Sequence, residues 1–153
     1  MRIVIQRVSH ASVSVAEDVK GKIGRGLMVL VGVEKEDTDE DARWLAAKTA
    51  GLRIFDDEQG VMNLSVRDVG GDVLSISQFT LTAYTRKGNR PSYIRAAGHE
   101  LATHLYEFYS QLVGEAIGRP VAMGVFGADM QVELCNDGPV TIIIDSKLRE
   151  NLL

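Results

Sequence analysis

A single cysteine, Cys135, stands in a chain of 153 residues, which excludes an intrachain disulfide. The three histidines, His10, His99 and His104, are scattered without cysteine partners, so no zinc-binding spacing exists and neither a structural metal nor a cofactor is expected. Long apolar runs are missing too: the longest, Leu27 to Val31, falls far short of the roughly 20 residues that cross a bilayer. The first residues lack the basic end, apolar stretch and cleavage site of a secretory leader, so a cytoplasmic protein with no membrane partner is expected. Positive charge is in deficit, with a formal net charge of -4, which speaks against a protein that coats DNA or RNA through bulk electrostatics. Gly21, Gly24 and Gly26 lack the Lys-Ser/Thr ending of a phosphate-binding loop, and Asp56-Asp57-Glu58 lacks the alternating ligands of a calcium loop.

What is present is 45% hydrophobic residues, enough for one core and one domain over residues 1–153. Residues 2–8 and 11–15 alternate as two strands separated by a turn at His10, with Arg7 either on the apolar face and in need of buried acceptors or at the strand's frayed end and reaching water. The run Leu27 to Val33 reads as a central strand after a glycine-punctuated loop. Thr38 caps a helix with Asp39, Glu40 and Asp41 at its positive end, Ala42, Leu45, Ala46 and Thr49 on one face, and Gly51 as its stop. Leu52 to Phe55 is a short strand. Pro91 opens a second helix, whose stripe is Ile94, Ala97, Leu101, Leu105, Phe108 and Leu112. Three strand candidates follow at residues 121–126, 131–135 and 140–144, the last two joined by Asn136-Asp137-Gly138-Pro139 as a hairpin. The fold class is mixed α/β, with two main helices packed on about eight, largely antiparallel, strands.

One strand ends in an unusual way. After Val73, Leu74 and Ile76, the residues Ser77, Gln78, Thr80 and Thr82 place hydroxyls and an amide where the chain leaves the sheet, around Phe79. Two uses fit this ending: local backbone hydrogen bonding at a turn, or a reaction site. Arg86, Lys87 and Arg90 follow directly, as a solvated loop or as a local RNA-binding surface. Gly138-Pro139 is a position where a cis peptide costs only about 0.5 to 1 kcal/mol, and in that form its neighbouring carbonyls would point nearly the same way, suited to an ammonium group.

Five blocks in order carry a resemblance. Met1-Arg2-Ile3-Val4-Ile5-Gln6-Arg7-Val8 with Ala11-Ser12-Val13, then Ser77-Gln78-Phe79-Thr80-Leu81, Lys87-Gly88-Asn89-Arg90-Pro91-Ser92, Gly124-Val125-Phe126-Gly127-Ala128-Asp129-Met130 and Asn136-Asp137-Gly138-Pro139-Val140-Thr141 resemble the D-aminoacyl-tRNA deacylases over the length of the chain. Tyr93, where the family more often has Phe, is the one small departure.

The resemblance implies a three-layer α/β/β domain that forms a homodimer and hydrolyses the ester of D-aminoacyl-tRNA, and of mischarged glycyl-tRNA. It implies that Ser77, Gln78, Phe79 and Thr80 form the catalytic stretch. Gly138 and Pro139, braced by Arg7 and with Met130 nearby, would screen chirality as a Gly-cisPro tip entering the other subunit's pocket. Thr80 is either the nucleophile or a contributor of backbone donors to a reaction assisted by the substrate's 2′-hydroxyl; the second is preferred, since the sequence offers Thr80 no base. Two other classes stay open: a hydrolase of small D-amino-acid esters, and a binding module without chemistry.

Overall fold

Strand β1 (Arg2–Val15) is the axis of the computed structural model, which describes residues 1–149. Ile3 and Ile5 turn to one face of the sheet, and Val8, Ala11 and Val13 to the other, with a change of register between. The chain then reverses at Ala16 and Glu17, both at positive φ, into β2 (Asp18–Ile23) and β3 (Gly26–Gly32). These two lie end to end along one edge of β1, pairing with its distal and proximal halves. β6 (Asp72–Ser77) adds parallel to β3, and β7 (Ala122–Met123) parallel to β6. β8 (Gln131–Asp145) covers the other edge of β1, and β4 (Phe55–Asp56) with β5 (Met62–Leu64) makes a separate two-stranded ribbon.

The six-stranded sheet curls until β2 touches β6 and β7. A Cβ on Gly21 would stand 3.1 Å from Leu74 Cδ1 and 3.1 Å from the Met123 carbonyl, so glycine allows this approach without a shift of a few tenths of an ångström in its neighbours. Val8, Ala11, Val13, Ile23, Met28, Leu74 and Ile76 fill the inside of the curl. On the outer face α1 (Asp39–Gly51) and α2 (His99–Ile117) seal the larger core, with Ala42, Leu45 and Ala46 meeting Leu105, Tyr109 and Val113 over Ile3, Ile5, Val29 and Val31. Each fully buried leucine here contributes about 2 kcal/mol. The layers are therefore helices, outer sheet wall and inner sheet wall. No helix among the described residues is long and apolar enough to cross a membrane.

Several expected boundaries move. His10 makes no turn: β1 runs through it, because ladders on both sides carry the chain past its irregular residues. The stretch expected as a glycine loop is largely β2. Leu52 to Ile54 stay outside the ribbon, and only Ala122 and Met123 of residues 121–126 pair. The second helix starts at His99 rather than Pro91. Two backbone bonds between Tyr84 and Ser92 (2.8 and 2.9 Å), a turn closed by the Ala96 N–H to the Tyr93 carbonyl (3.0 Å), and further bonds from Lys35 to Arg95 and from Ala97 to Val33 hold the intervening segment out of the helix. Ile94 is consequently 70% exposed instead of packed.

The largest correction concerns residues 131–144. They are not two arms of a hairpin, whose strands would oppose each other, but a single strand with both halves antiparallel to β1. Gln6 faces Thr141 and Val8 faces Asn136, so Asp137 to Val140 swell out of the ladder opposite Arg7 alone.

Asp41 locks the entry to α1. It accepts from the Thr38 N–H at 2.8 Å and from Arg149 at 3.0 Å. Burial pushes its pKa up, but hydrogen bonds from Ser146, the Thr38 amide and Arg149 together outweigh that and hold it at about 2. The resulting stability is fully present above the ordinary value of 3.8 and is lost as pH falls through about 2. After allowance for solvent screening it amounts to roughly 1 kcal/mol. In acid titrations of thermal stability, Asp41→Asn is expected to flatten the loss between about pH 4 and pH 2; an unchanged slope would assign that loss to other groups.

Candidate active site

β6 delivers Ser77 to the end of the sheet beside Val31, whose carbonyl accepts from the Gln78 N–H at 2.7 Å. The chain then tightens into a 3₁₀ turn, Phe79–Thr82, closed by Leu81 N–H to the Gln78 carbonyl (3.2 Å) and by the Thr82 hydroxyl to the Phe79 carbonyl (2.8 Å). As the first two amides of the turn, those of Phe79 and Thr80 have no partner within it. Arg2 donates to the Leu81 carbonyl at 2.7 Å and to Asp145 at 2.9 Å, tying the turn to the end of the β1–β8 ladder where Arg2 and Asp145 pair.

Gly32 is what lets this turn lie against β3. A Cβ there would meet Leu81 Cβ at 2.8 Å and the Gln78 carbonyl at 3.2 Å. A glycine interrupting an otherwise apolar strand is a sequence signal for such an approach, and it went unread. Gly124 plays the same part opposite, where a Cβ would meet Met130 Sδ at 2.6 Å.

Between these two supports opens a cleft of about 270 Å³. Ser77, Gln78 and Phe79 line one wall, Phe126, Gly127, Ala128 and Met130 another, and Ala102 and Tyr106 of α2 the floor. Sequence reasoning missed the floor, because Tyr106 reads as one more core aromatic of an amphipathic helix. Its hydroxyl donates to the Ser75 carbonyl at 2.6 Å. Burial pushes its pKa up to about 12 against the hydrogen bonds of Ser75 and Gly124, so the phenol stays neutral. No other titratable side chain lines the cleft among the described residues. Phe79 is 58% exposed at the mouth, edge-on to Tyr93 with ring centroids 5.0 Å apart. The Thr80 hydroxyl is not part of the lining; it receives the Gln78 side-chain amide.

The other expected residues lie elsewhere on the chain. Arg7 is buried beneath the β8 swelling, where Nε donates to the Asp137 carbonyl at 2.8 Å and a terminal nitrogen to the Ile54 carbonyl at 2.7 Å. Asp56 at 3.6 Å and Asp137 at 3.9 Å balance its charge. Asn136 clamps the far side by accepting from the Val140 N–H at 2.8 Å. The tip so held is exposed, its Gly138–Pro139 peptide bond is cis, and Gly138 has φ +143°. Neither Gly138, Pro139 nor Arg7 lines the cleft of its own chain. Arg7 pairs with Leu27, about 13 Å along β3 from the Val31 that borders the cleft. Arg86, Lys87 and Arg90 are exposed on the loop after the turn. His10 and His99 are exposed, and the exposed His104 meets Asp39 at 2.8 Å.

The sequence profile of the D-Tyr-tRNA(Tyr) deacylases matches residues 4–145. The D-aminoacyl-tRNA deacylase of Parabacteroides distasonis is 57% identical over 150 residues, 98% of this chain and 100% of that protein. That of Phocaeicola vulgatus is 59% identical with the same coverage. Among solved structures, a c-Myc DNA unwinding element binding protein superposes with a TM-score of 0.89 at 40% identity, over 95% of this chain and 98% of the other. A probable eukaryotic D-amino acid tRNA deacylase shares the fold, with a TM-score of 0.80 at 19% identity, over 94% of this chain and 97% of the other.

Proposed function

The chain belongs to the D-Tyr-tRNA(Tyr) deacylase family, and on that footing we propose that it hydrolyses the ester joining a D-amino acid to the terminal adenosine of tRNA. The observation that carries this reading is a cleft walled by Phe79, where the 3₁₀ turn begins and its first main-chain amides have no partner within the turn, with no side-chain carboxylate, imidazole, amine or thiol among the described residues of its lining. An aminoacyl ester is already activated, so its hydrolysis needs placement and oxyanion stabilisation more than a strong nucleophile. In the proposed pose Phe79 and Gln78 seat the adenosine, and the ester carbonyl oxygen faces the Phe79 and Thr80 amides. Water, oriented by the substrate's own 2′-hydroxyl, adds to the carbonyl carbon. The tetrahedral intermediate then collapses, the 3′-oxygen leaves with a proton, and the free amino acid departs.

The same proposal assigns chirality selection to the Gly138–Pro139 tip. Because the tip cannot serve its own cleft, the working unit is a homodimer in which each tip enters the cleft of the other copy beside Met130. Tip carbonyls receive the α-ammonium, and an L-ester would drive its side chain into the braced backbone. Glycine, with no side chain, passes, so glycyl-tRNA is also a substrate. Exclusion by backbone rather than by a side-chain pocket accommodates many D-residues. Arg86, Lys87 and Arg90 contact the RNA. A cytoplasmic setting, where charged tRNA is found, belongs to this reading.

The test is parallel deacylation of D-tyrosyl-, L-tyrosyl- and glycyl-tRNA, with free D-tyrosine ester as control. We expect turnover of the D and glycyl substrates, with L-tyrosyl-tRNA spared by about 100-fold or more. Equal rates for D and L would remove the chirality role. Stoichiometric retention without turnover would leave a binding module, and preference for the free ester would leave a small-ester hydrolase.

A further inference from the structure

Between Asp72 and Glu100 the sequence has no carboxylate, in a chain with 21 acidic residues and a net charge of -4. The same segment holds Arg86, Lys87, Arg90 and Arg95, so within an acidic protein it carries a local excess of positive charge with no carboxylate of its own to offset it. The paired backbones of Tyr84 and Ser92 close residues 85–91 into an exposed loop that presents three of these cations.

Aromatic rings lead from the cleft to that loop. Phe79 stands at the mouth, Tyr93 rests edge-on against it, and Tyr84 is joined to Ser92, the neighbour of Tyr93. Tyr84 is 41% exposed, and the Arg95 guanidinium lies over its ring, 5.4 Å from the centroid. A ring held by a cation and open to solvent, beside further cations and a second exposed aromatic, is the arrangement that stacks nucleobases while the charges track phosphates.

We propose that Tyr84, Arg95 and the 85–91 loop form a ledge for the unpaired nucleotides that precede the terminal adenosine of the substrate. Tyr84 stacks one of those bases, and Arg86, Lys87 and Arg90 hold their phosphates. The ledge rests on the deacylase reading and deepens it: it takes a single-stranded RNA end, where the cleft takes only the last nucleoside and its amino acid.

Two substrates separate these parts: D-tyrosyl-tRNA, and the D-tyrosyl ester of adenosine alone, which reaches the cleft but not the ledge. Tyr84→Ala is expected to raise KM for D-tyrosyl-tRNA about tenfold, with kcat kept and with unchanged kinetics on the adenosine ester. Tyr84→Phe, which keeps the ring, is expected to behave as the parent. Exchanging Arg86, Lys87 and Arg90 together for alanine is expected to flatten the salt dependence of KM for the tRNA only. Parent and Tyr84→Ala proteins are also compared in anisotropy titrations with an uncharged single-stranded RNA ending in adenosine, where equal affinities would overturn the ledge. So would variants that slow both substrates equally, or neither, while the parent turns both over. A parent protein inert toward both would instead remove the deacylase reading, and the ledge with it.

Discussion

Gly138→Ala is expected to lower kcat/KM for D-tyrosyl-tRNA by about two orders of magnitude, or to erase the preference for D over L, in a protein that still folds. At φ +143° an L-residue is strained, and the added Cβ would stand 2.8 Å from Val140 Cγ2, 3.0 Å from Val140 N and 3.2 Å from an Arg7 nitrogen. The Val140 main chain and the Arg7 side chain are both tied down. Val140 is held by Asn136, and Arg7 is buried and bonded to the carbonyls of Asp137 and Ile54. The tip itself must therefore move. Its exposure confines the cost to the swelling, about 1 to 3 kcal/mol, which an otherwise intact sheet tolerates. Kinetics on matched D- and L-substrates, with a thermal melt alongside, decide the matter. A folded variant with unchanged rate and unchanged selectivity would end the assignment of chirality selection to this tip.

The second large effect lies in the substrate. D-tyrosyl-tRNA ending in 2′-deoxyadenosine is expected to be hydrolysed about a thousandfold more slowly, whereas Thr80→Ala should stay within about threefold of the parent. The Thr80 hydroxyl is already engaged by the Gln78 amide and lies outside the cleft lining, and among the described residues no base bonds to it. Tyr106, the one titratable side chain of the lining among the described residues, is neutral at ordinary pH. Removing the hydroxyl therefore leaves the Phe79 and Thr80 amides where they were, while removing the 2′-hydroxyl takes away the group that orients water. Single-turnover rates measure both. A folded Thr80→Ala protein that binds substrate without turnover, together with a competent deoxy substrate, would return the nucleophile's role to Thr80.

The two main structural surprises share an origin. Ser9-His10 and Asp137–Pro139 both look like chain reversals, since polar residues, glycine and proline interrupt alternating apolar runs. In the structure each is an irregularity inside a long strand, because β1 and β8 pair with each other on both sides of it. Arg7 shows what hinges on the difference. Its side-chain type already demanded acceptors, but that these would be the carbonyls of Asp137 and Ile54 follows only from the swelling opposite it. Pro91 is a similar case: it suits a first helical turn, but the Tyr84–Ser92 bonds claim the chain before a helix can begin.

Properties that depend on near neighbours were settled by the order of residues alone. These include the apolar periods of α1 and β3, the polar ending of β6 and the family-bearing blocks around Ser77 and Gly138. Only tertiary structure decided that the Ser77–Phe79 wall shares a cleft with Tyr106 and Met130, while the exposed Gly138–Pro139 tip is no part of its lining. The reason is physical. Helical and strand periodicity arise from contacts a few residues apart, whereas a ladder joins Arg2 to Asp145, and the closeness of Gly32 to Leu81 depends on how the sheet curls.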